Sequence, residues 1–306
     1  MRVVFMGTPA FAVPSLEAVA AEHEVALVVT RPDAVRGRGR ALEPSPVKAR
    51  VCELGLDVLE ATRMTPDALE AVRTAAPDVV CVVAFGCILP DELLGMAPLG
   101  AVNVHASLLP RWRGAAPIQR SILAGDAETG VSIMRVAHEL DAGAWCRQAH
   151  VAIGEKDLQT LTAELADTGA FELSAALAEL ASGTAVWHEQ DESLVTYAPK
   201  VTKAEMRLAP DAAAADLARR VQASGDTAPA RCAVAGRGVR VLAARVAADA
   251  PALASGEVAA AHGRVFLGCS EGALEALSVK PDGKRAMEAS AWAQGLRGTG
   301  LTWGSV

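Results

Sequence analysis

The sequence contains no C-x-x-C pair. Its six cysteines stand at positions 52, 81, 87, 146, 232 and 269, none at the spacing of zinc ligands. They read as reduced, mostly buried thiols of a cytosolic chain. G-x-G-x-x-G and Walker sequences are also missing, so "MGTPAFA" after the first apolar run is a plain strand-to-helix turn. Long apolar runs are lacking: "MRVVFM" is interrupted at once by Gly7-Thr8-Pro9, and later apolar stretches are alanine-rich and broken by charge. No internal repeat is visible. These absences lead us to expect a cytoplasmic chain with no bound metal and no membrane partner.

What is present is an ordinary globular composition. Of 306 residues, 51% are hydrophobic and 21% charged, enough to build two domains with proper cores. A formal net charge of -7 argues against a surface coated for nucleic acid, while leaving room for one local basic patch.

Strand-like and helix-like runs alternate through the first half. "RVVFM", "VALVVT" (25–30), "DVVCVVAF" (78–85) and "GAVNVH" read as strands, and 14–21, 47–54 and 66–75 as helices, the last capped by Thr65. Continuously apolar strands alternating with helices predict an α/β fold around a doubly wound, mostly parallel sheet of the Rossmann-like kind. Further on, 117–124 reads as helix, 130–136 and 144–153 as strands, and 158–180 as a long helix opened by Asp157 and stopped by Gly183. The expected boundaries are a first domain over 1–189, a linker over 190–208 and a second domain over 209–306. In that second domain one helix (211–221) precedes glycine-punctuated β runs, which predict a smaller β-barrel of the OB-like kind.

The stretch "GAVNVHASLLPRWRGAAPIQRS" (100–121) carries the clearest chemical signal. Side chains alternate along a strand, so Asn103 and His105 share one face and Val102 and Val104 the other. Taken singly, His105 has the ordinary reading of a hydrogen-bonded core histidine. Two polar groups at i and i+2, where a strand runs out into Leu-Pro, mark the carboxyl edge of an α/β sheet, where sites collect. "HELDAG" places Asp141 in a polar turn between two later strands. An amide, an imidazole and a carboxylate together are equipped to polarise a carbonyl and manage one proton. A positive island occupies 31–50, with six cations (Arg31, Arg36, Arg38, Arg40, Lys48, Arg50) against Asp33 and Glu43. Most charge runs are solvated surface, but the Arg-Gly-Arg-Gly-Arg core is well suited to bidentate contacts with phosphate.

"NVHASLLP" followed by "LDAG" resembles the folate-dependent formyltransferase family. "GTPAFAVPSL", "GRGR", "PSPVKA", "AFGCILP" and "SLLPRWRGAAPIQRSI" extend the likeness in order across most of 1–145, and "LVTYAPKVTKAE" and "KPDGKRAM" carry it further. These motifs are most similar to the branch of the family that formylates methionyl initiator tRNA. The family's aromatic stretch early in the second domain is replaced here by "QASGDTAPARC" (222–232), which has no aromatic residue.

The resemblance implies formyl transfer from 10-formyltetrahydrofolate, as co-substrate, to the α-amine of the methionine carried by initiator tRNA, with no metal. It implies Asn103, His105 and Asp141 as catalytic residues, the first two facing the oxyanion and Asp141 orienting His105. Folate is expected along Phe85, Gly86, Ile88, Leu89, Pro90, Ser107, Leu108, Leu109, Pro110, Glu139 and Leu140, mostly through backbone groups. Arg36, Arg38 and Arg40 are expected to bind tRNA, and the chain to act as a monomer. Other readings are formylation of a different amine such as a nucleotide sugar, hydrolysis of the folate donor, or a catalytically silent RNA-binding protein. The arginine-rich loop favours tRNA over a sugar, and the joint presence of Asn103, His105 and Asp141 disfavours the silent protein.

Overall fold

The computed structural model describes residues 1–35, 42–296 and 300–306. Two compact units emerge, one of residues 1–117, 128–152 and 162–198, the other of 118–127, 153–161 and 199–306.

The first half of the chain runs β1 (Arg2–Gly7), α1 (Val13–Glu22), β2 (Glu24–Thr30), a short antiparallel hairpin of β3 (Ala34–Val35) and β4 (Leu42–Glu43), α2 (Pro46–Leu54), β5 (Val58–Glu60), α3 (Pro66–Thr74), β6 (Val79–Val83), α4 (Asp91–Leu94) and β7 (Ala101–His105). It continues with α5 (Pro117–Ala124), β8 (Glu128–Arg135), β9 (Trp145–Ala152) and α6 (Leu158–Ser182). The main sheet of the first unit has the order β5-β2-β1-β6-β7-β8-β9. Its first five strands are parallel, and β8 and β9 extend it antiparallel beyond β7. The expected doubly wound, mostly parallel sheet is therefore present. The β3–β4 hairpin and the three-residue β5 are additions, too short to show a period in the sequence.

Local chemistry sets the helix starts. Ser45 and Thr65 cap α2 and α3, their hydroxyls accepting from Lys48 N at 3.0 Å and Ala68 N at 3.3 Å, and each helix opens with proline. Both sheet faces are covered, which is why β1 and β6 read as unbroken apolar runs. Val3, Phe5, Cys81, Val83, Val102 and Val104 pack with Leu16 of α1 and Leu173 and Leu177 of α6. On the other face Val4, Met6, Val80, Val82 and Ala101 pack with Leu69 and Val72 of α3 and with Leu93. Gly169 lets α6 lie directly on β7, because a Cβ there would sit 2.7 Å from Val104 Cγ1. Each fully buried aliphatic side chain contributes about 1.5–3 kcal/mol. Val102 and Val104 thus hold β7 in the sheet while its other face carries Asn103 and His105.

The second unit adds α7 (Ala214–Gln222), β10 (Arg231–Val234), β11 (Arg237–Val246), β12 (Val258–Ala261), β13 (Arg264–Gly268), β14 (Ala273–Pro281), β15 (Met287–Glu288), α8 (Ala289–Ala293) and β16 (Trp303–Gly304). Its antiparallel sheet has the order β12-β13-β14-β11-β10-β16, with β15 on β14. The two ends of that order meet: Glu257 bridges Thr302, Val258 N donates to Leu301 O at 2.9 Å, and Trp303 N donates to Gly256 O at 2.9 Å. The result is a nearly closed barrel, its core filled by Leu217 and Val221 of α7 against Val241, Val265 and Leu274.

Residues 190–198, expected in a linker, are part of the first unit. Arg113 N donates to Thr196 O at 2.9 Å and Ala198 N to Arg113 O at 2.7 Å, which ties this segment to the stretch after β7. Residues 199–208 belong to the second unit, where Leu208 N donates to Arg231 O at 2.8 Å. Among the described residues no helix is long and apolar enough to cross a membrane.

Glu205 sits in that second segment. The Arg120 guanidinium and the Thr202 backbone N–H and hydroxyl hold its carboxyl down at about 2. A carboxyl with a depressed folded pKa stabilises the fold above its unfolded pKa, near 4.3, and loses that contribution as the pH falls through the folded value. Glu205→Gln should therefore be less stable than the wild type at neutral pH, with the gap closing between about pH 4.3 and 2. Urea melts at pH 7 and pH 3 check this; a gap equal at both would refute the role of the ion pair.

Candidate active site

Parallel strands end together, and the sheet changes direction between β1 and β6, so the loops after β1, β2, β6 and β7 form a natural crevice. Two contacts knit them: Thr8 Oγ1 donates to Phe85 O at 3.2 Å, and Arg31 Nη1 to Gly86 O at 2.6 Å. The side chains expected to meet folate are placed differently from one another. The Phe85 ring is buried with Met6 and Leu93, so only its backbone is available to a ligand. Leu109 is buried too, and Ser107 is fully buried, its hydroxyl donating to Arg111 O at 2.6 Å. Leu89, Leu108 and Pro110 are half-buried, whereas Gly86, Ile88, Glu139 and Leu140 are exposed, Ile88 by 92% and Leu140 by 66%. Ile88 and Leu140 are thus exposed aliphatic side chains on two separate loops.

His105 ends β7 and is 5% exposed. Its Nε2 lies 2.9 Å from Trp112 O, and a carbonyl only accepts, so Nε2 carries a proton. Nδ1 then faces Asp141, 3.6 Å from Oδ2. The same carboxylate oxygen accepts from Gly114 N at 2.9 Å. His105 is thus held between the 110–114 segment and the Asp141 turn. Both neighbours have left-handed backbones, Trp112 at φ 64° and Asp141 at φ 50°. Such conformations cost about 1–3 kcal/mol each and persist only where the surroundings dictate them. Here Trp112 N donates to Thr196 Oγ1 at 2.9 Å, and Gln190 Nε2 donates to Asp141 O and Gly143 O, both at 2.8 Å. Asn103 is half-buried on the same strand face as His105, and none of the described residues hydrogen-bonds its amide. A donor left open beside a fixed imidazole–carboxylate pair is available to a ligand oxygen.

Sequence reading missed several supporting groups. Ser132, directly across from His105 on β8, donates to Ser107 O at 2.6 Å and accepts from Leu109 N at 3.1 Å, while Gln148 Nε2 donates to Leu109 O at 2.8 Å. A lone serine inside the apolar "VSIM" was the available signal. Gln190 and the buried Arg113 gave none, since both lie in polar stretches.

The basic island is less free than its composition implies. Lys48 bridges Asp33 at 2.7 Å and Glu60 at 2.6 Å, which pushes its pKa up to about 12, and Arg50 pairs with Glu17 and Glu53. Arg31 is spent on Gly86. Arg36, Arg38 and Arg40 lie outside the described residues. Among the described residues no three His, Cys, Asp or Glu side chains gather as a metal site.

The formyl transferase family model matches residues 1–177, and the model of the formyl transferase C-terminal domain matches 200–297. The chain belongs to the formyl transferase family. A methionyl-tRNA formyltransferase of Methylococcus capsulatus is 45% identical over 94% of this chain and 95% of its own length. One from Methylobacterium sp. (strain 4-46) is 46% identical over 97% of each chain. Among solved structures, the sugar 3N-formyltransferase WlaRD, crystallised with dTDP and 5-N-formyl-THF, superimposes with a TM-score of 0.66 at 11% identity over 93% of this chain and 99% of that one. HypX of Aquifex aeolicus in complex with tetrahydrofolic acid gives 0.66 at 17% identity over 95% of this chain. This chain spans only 46% of HypX, and at these identities both structures show the shared fold.

In this formyl transferase the Asp141 turn depends on Gly143. A Cβ at 143 would overlap the Arg135 carbonyl oxygen, so Gly143→Ala must push β8 and the turn apart. We expect a loss of about 1–3 kcal/mol in stability, read by urea denaturation, together with lower turnover. Unchanged stability would show that the turn has slack.

Proposed function

We propose that this chain, as a cytoplasmic monomer, transfers the formyl group of 10-formyltetrahydrofolate to the α-amine of methionyl initiator tRNA. The observation that carries the reading is the open Asn103 amide beside the His105–Asp141 pair, in a chain 45% identical along its length to a methionyl-tRNA formyltransferase. The donor's requirements fit what these loops offer: apolar Ile88 and Leu140 for a ring, backbone groups of 85–90 and 139–141 for its polar edge, and an unspent amide for a carbonyl oxygen. The co-substrate supplies an already activated formyl group, so the reaction asks the protein for placement, charge stabilisation and one proton's management. Asn103 donates to the formyl oxygen as negative charge builds on it, the interaction that lowers the barrier most when pre-placed. The amine adds to the formyl carbon, its proton passes to N10 of the folate, and tetrahydrofolate leaves as the carbon–N10 bond breaks. His105, fixed through Nε2 by Trp112 O, turns Nδ1 toward Asp141, and this pair relays that proton, Asp141 keeping the ring from turning away. Arg36, Arg38 and Arg40 supply the tRNA contacts.

The test is single-turnover formylation of charged initiator tRNA by the purified chain. Asn103→Ala and His105→Ala should each slow the chemical step about 10²-fold or more while binding of the folate donor is retained. Rates within a few-fold of wild type would remove these residues from the reaction. Equal wild-type rates on charged tRNA and on an amino-sugar nucleotide would overturn the substrate assignment.

A further inference from the structure

The Asp141 turn and the 110–114 segment come from distant parts of the chain, yet His105 needs both in register. Besides the Gly114–Asp141 hydrogen bond, the Gln190 side chain joins them. The amide nitrogen of Gln190 donates to the carbonyls of Asp141 and Gly143, each at 2.8 Å, so both of its protons are directed at the turn. Its amide oxygen accepts from Arg113 Nε at 2.9 Å. Arg113 is 3% exposed and lies between Trp112, whose carbonyl holds His105 Nε2, and Gly114, whose N–H holds the Asp141 carboxylate. Its guanidinium ends on Glu192 at 2.8 Å, two residues beyond Gln190. The stretch 188–196 is itself fastened at both ends. His188 exchanges backbone hydrogen bonds with Trp145 at 2.8 and 3.0 Å, and Thr196 accepts from Trp112 and Arg113.

We propose that Gln190 is a positioning residue for formyl transfer: it sets the separation of Asp141 from His105 by clamping the left-handed turn to the 110–114 segment. This inference rests on the function proposed above. The chemistry requires an amide. Only Asn and Gln offer two N–H donors and an acceptor in one plane, which two carbonyls on one side and a guanidinium on the other demand. A glutamate would satisfy Arg113 yet present an acceptor to two carbonyl oxygens. An alanine would leave two carbonyls and the buried Arg113 Nε–H without their partner, the rest of the guanidinium keeping Glu192. Displacements of about 1 Å at a reacting group cost up to about 10²-fold in rate, so a loosened turn is costly even when the fold survives.

Three variants separate positioning from mere stability: Gln190→Ala, Gln190→Glu and the control Gln222→Ala. Gln222 makes the same kind of clamp elsewhere, its Nε2 donating to Gly154 O and Lys156 O at 2.8 Å each. In single-turnover formylation, Gln190→Ala and Gln190→Glu should fall about 10-fold or more, with KM for the folate donor changed less than about twofold. Gln222→Ala should keep the wild-type rate at a comparable loss of Tm. The rate of Gln190→Glu relative to wild type should recover as pH falls toward the carboxyl range, because a protonated glutamate regains a donor. A wild-type rate for Gln190→Glu, or equal slowing by Gln222→Ala, would overturn the proposal. Should the wild type itself fail to formylate charged tRNA, the underlying function fails instead. The clamp is then read by NMR of the His105 ring, whose resonances Gln190→Ala should shift and Gln222→Ala should not. A His105 spectrum unchanged by Gln190→Ala would overturn it.

Discussion

One buried imidazole must keep both of its nitrogens directed. His105 sits at the end of a sheet strand, with a carbonyl on one side and a carboxylate on the other, and neither neighbour is in a relaxed backbone conformation. Trp112 and Asp141 both occupy the left-handed region, at a combined cost of a few kcal/mol. That cost is met locally, by Thr196 holding Trp112 and Gln190 holding the Asp141 turn.

The sheet provides the rigid side of this arrangement. Val102 and Val104 anchor β7 in a core shared with α1 and α6, and Gly169 lets the long helix come down onto the strand. Asn103 and His105 therefore face the crevice from a fixed backbone. The antiparallel β8 and β9 provide the other side: Ser132 and Gln148 stiffen the loop after β7, and the turn between the two strands carries Asp141. Antiparallel strands beyond a parallel sheet are what allow a tight turn to reach back to a strand's carboxyl end.

Much of this was legible in the sequence because it rests on local patterns. Alternation in "AVNVH" puts Asn103 and His105 on one face, Thr65 and the following proline mark a helix start, and unbroken apolar runs mark strands covered on both sides. The partners that complete the site were not legible. Trp112 contributes a carbonyl, which every residue possesses, and its left-handed backbone leaves no trace in composition. Gln190 lies in "HEQDESL", where polarity suggests a solvated linker, and only the tertiary fold reveals that its amide faces two carbonyls. The basic island misled in the opposite direction: Lys48 and Arg50 read as available charge but are spent on Asp33, Glu60, Glu17 and Glu53.

The central claim is that Asp141 acts through His105 and not independently of it. A double-mutant cycle on single-turnover formylation tests this most directly, using His105→Ala, Asp141→Asn and the double variant. Residues that work as one unit are strongly non-additive. The account predicts that adding Asp141→Asn to His105→Ala slows the reaction by no more than about twofold further, although Asp141→Asn alone is severe. Multiplication of the two single effects in the double variant would contradict it.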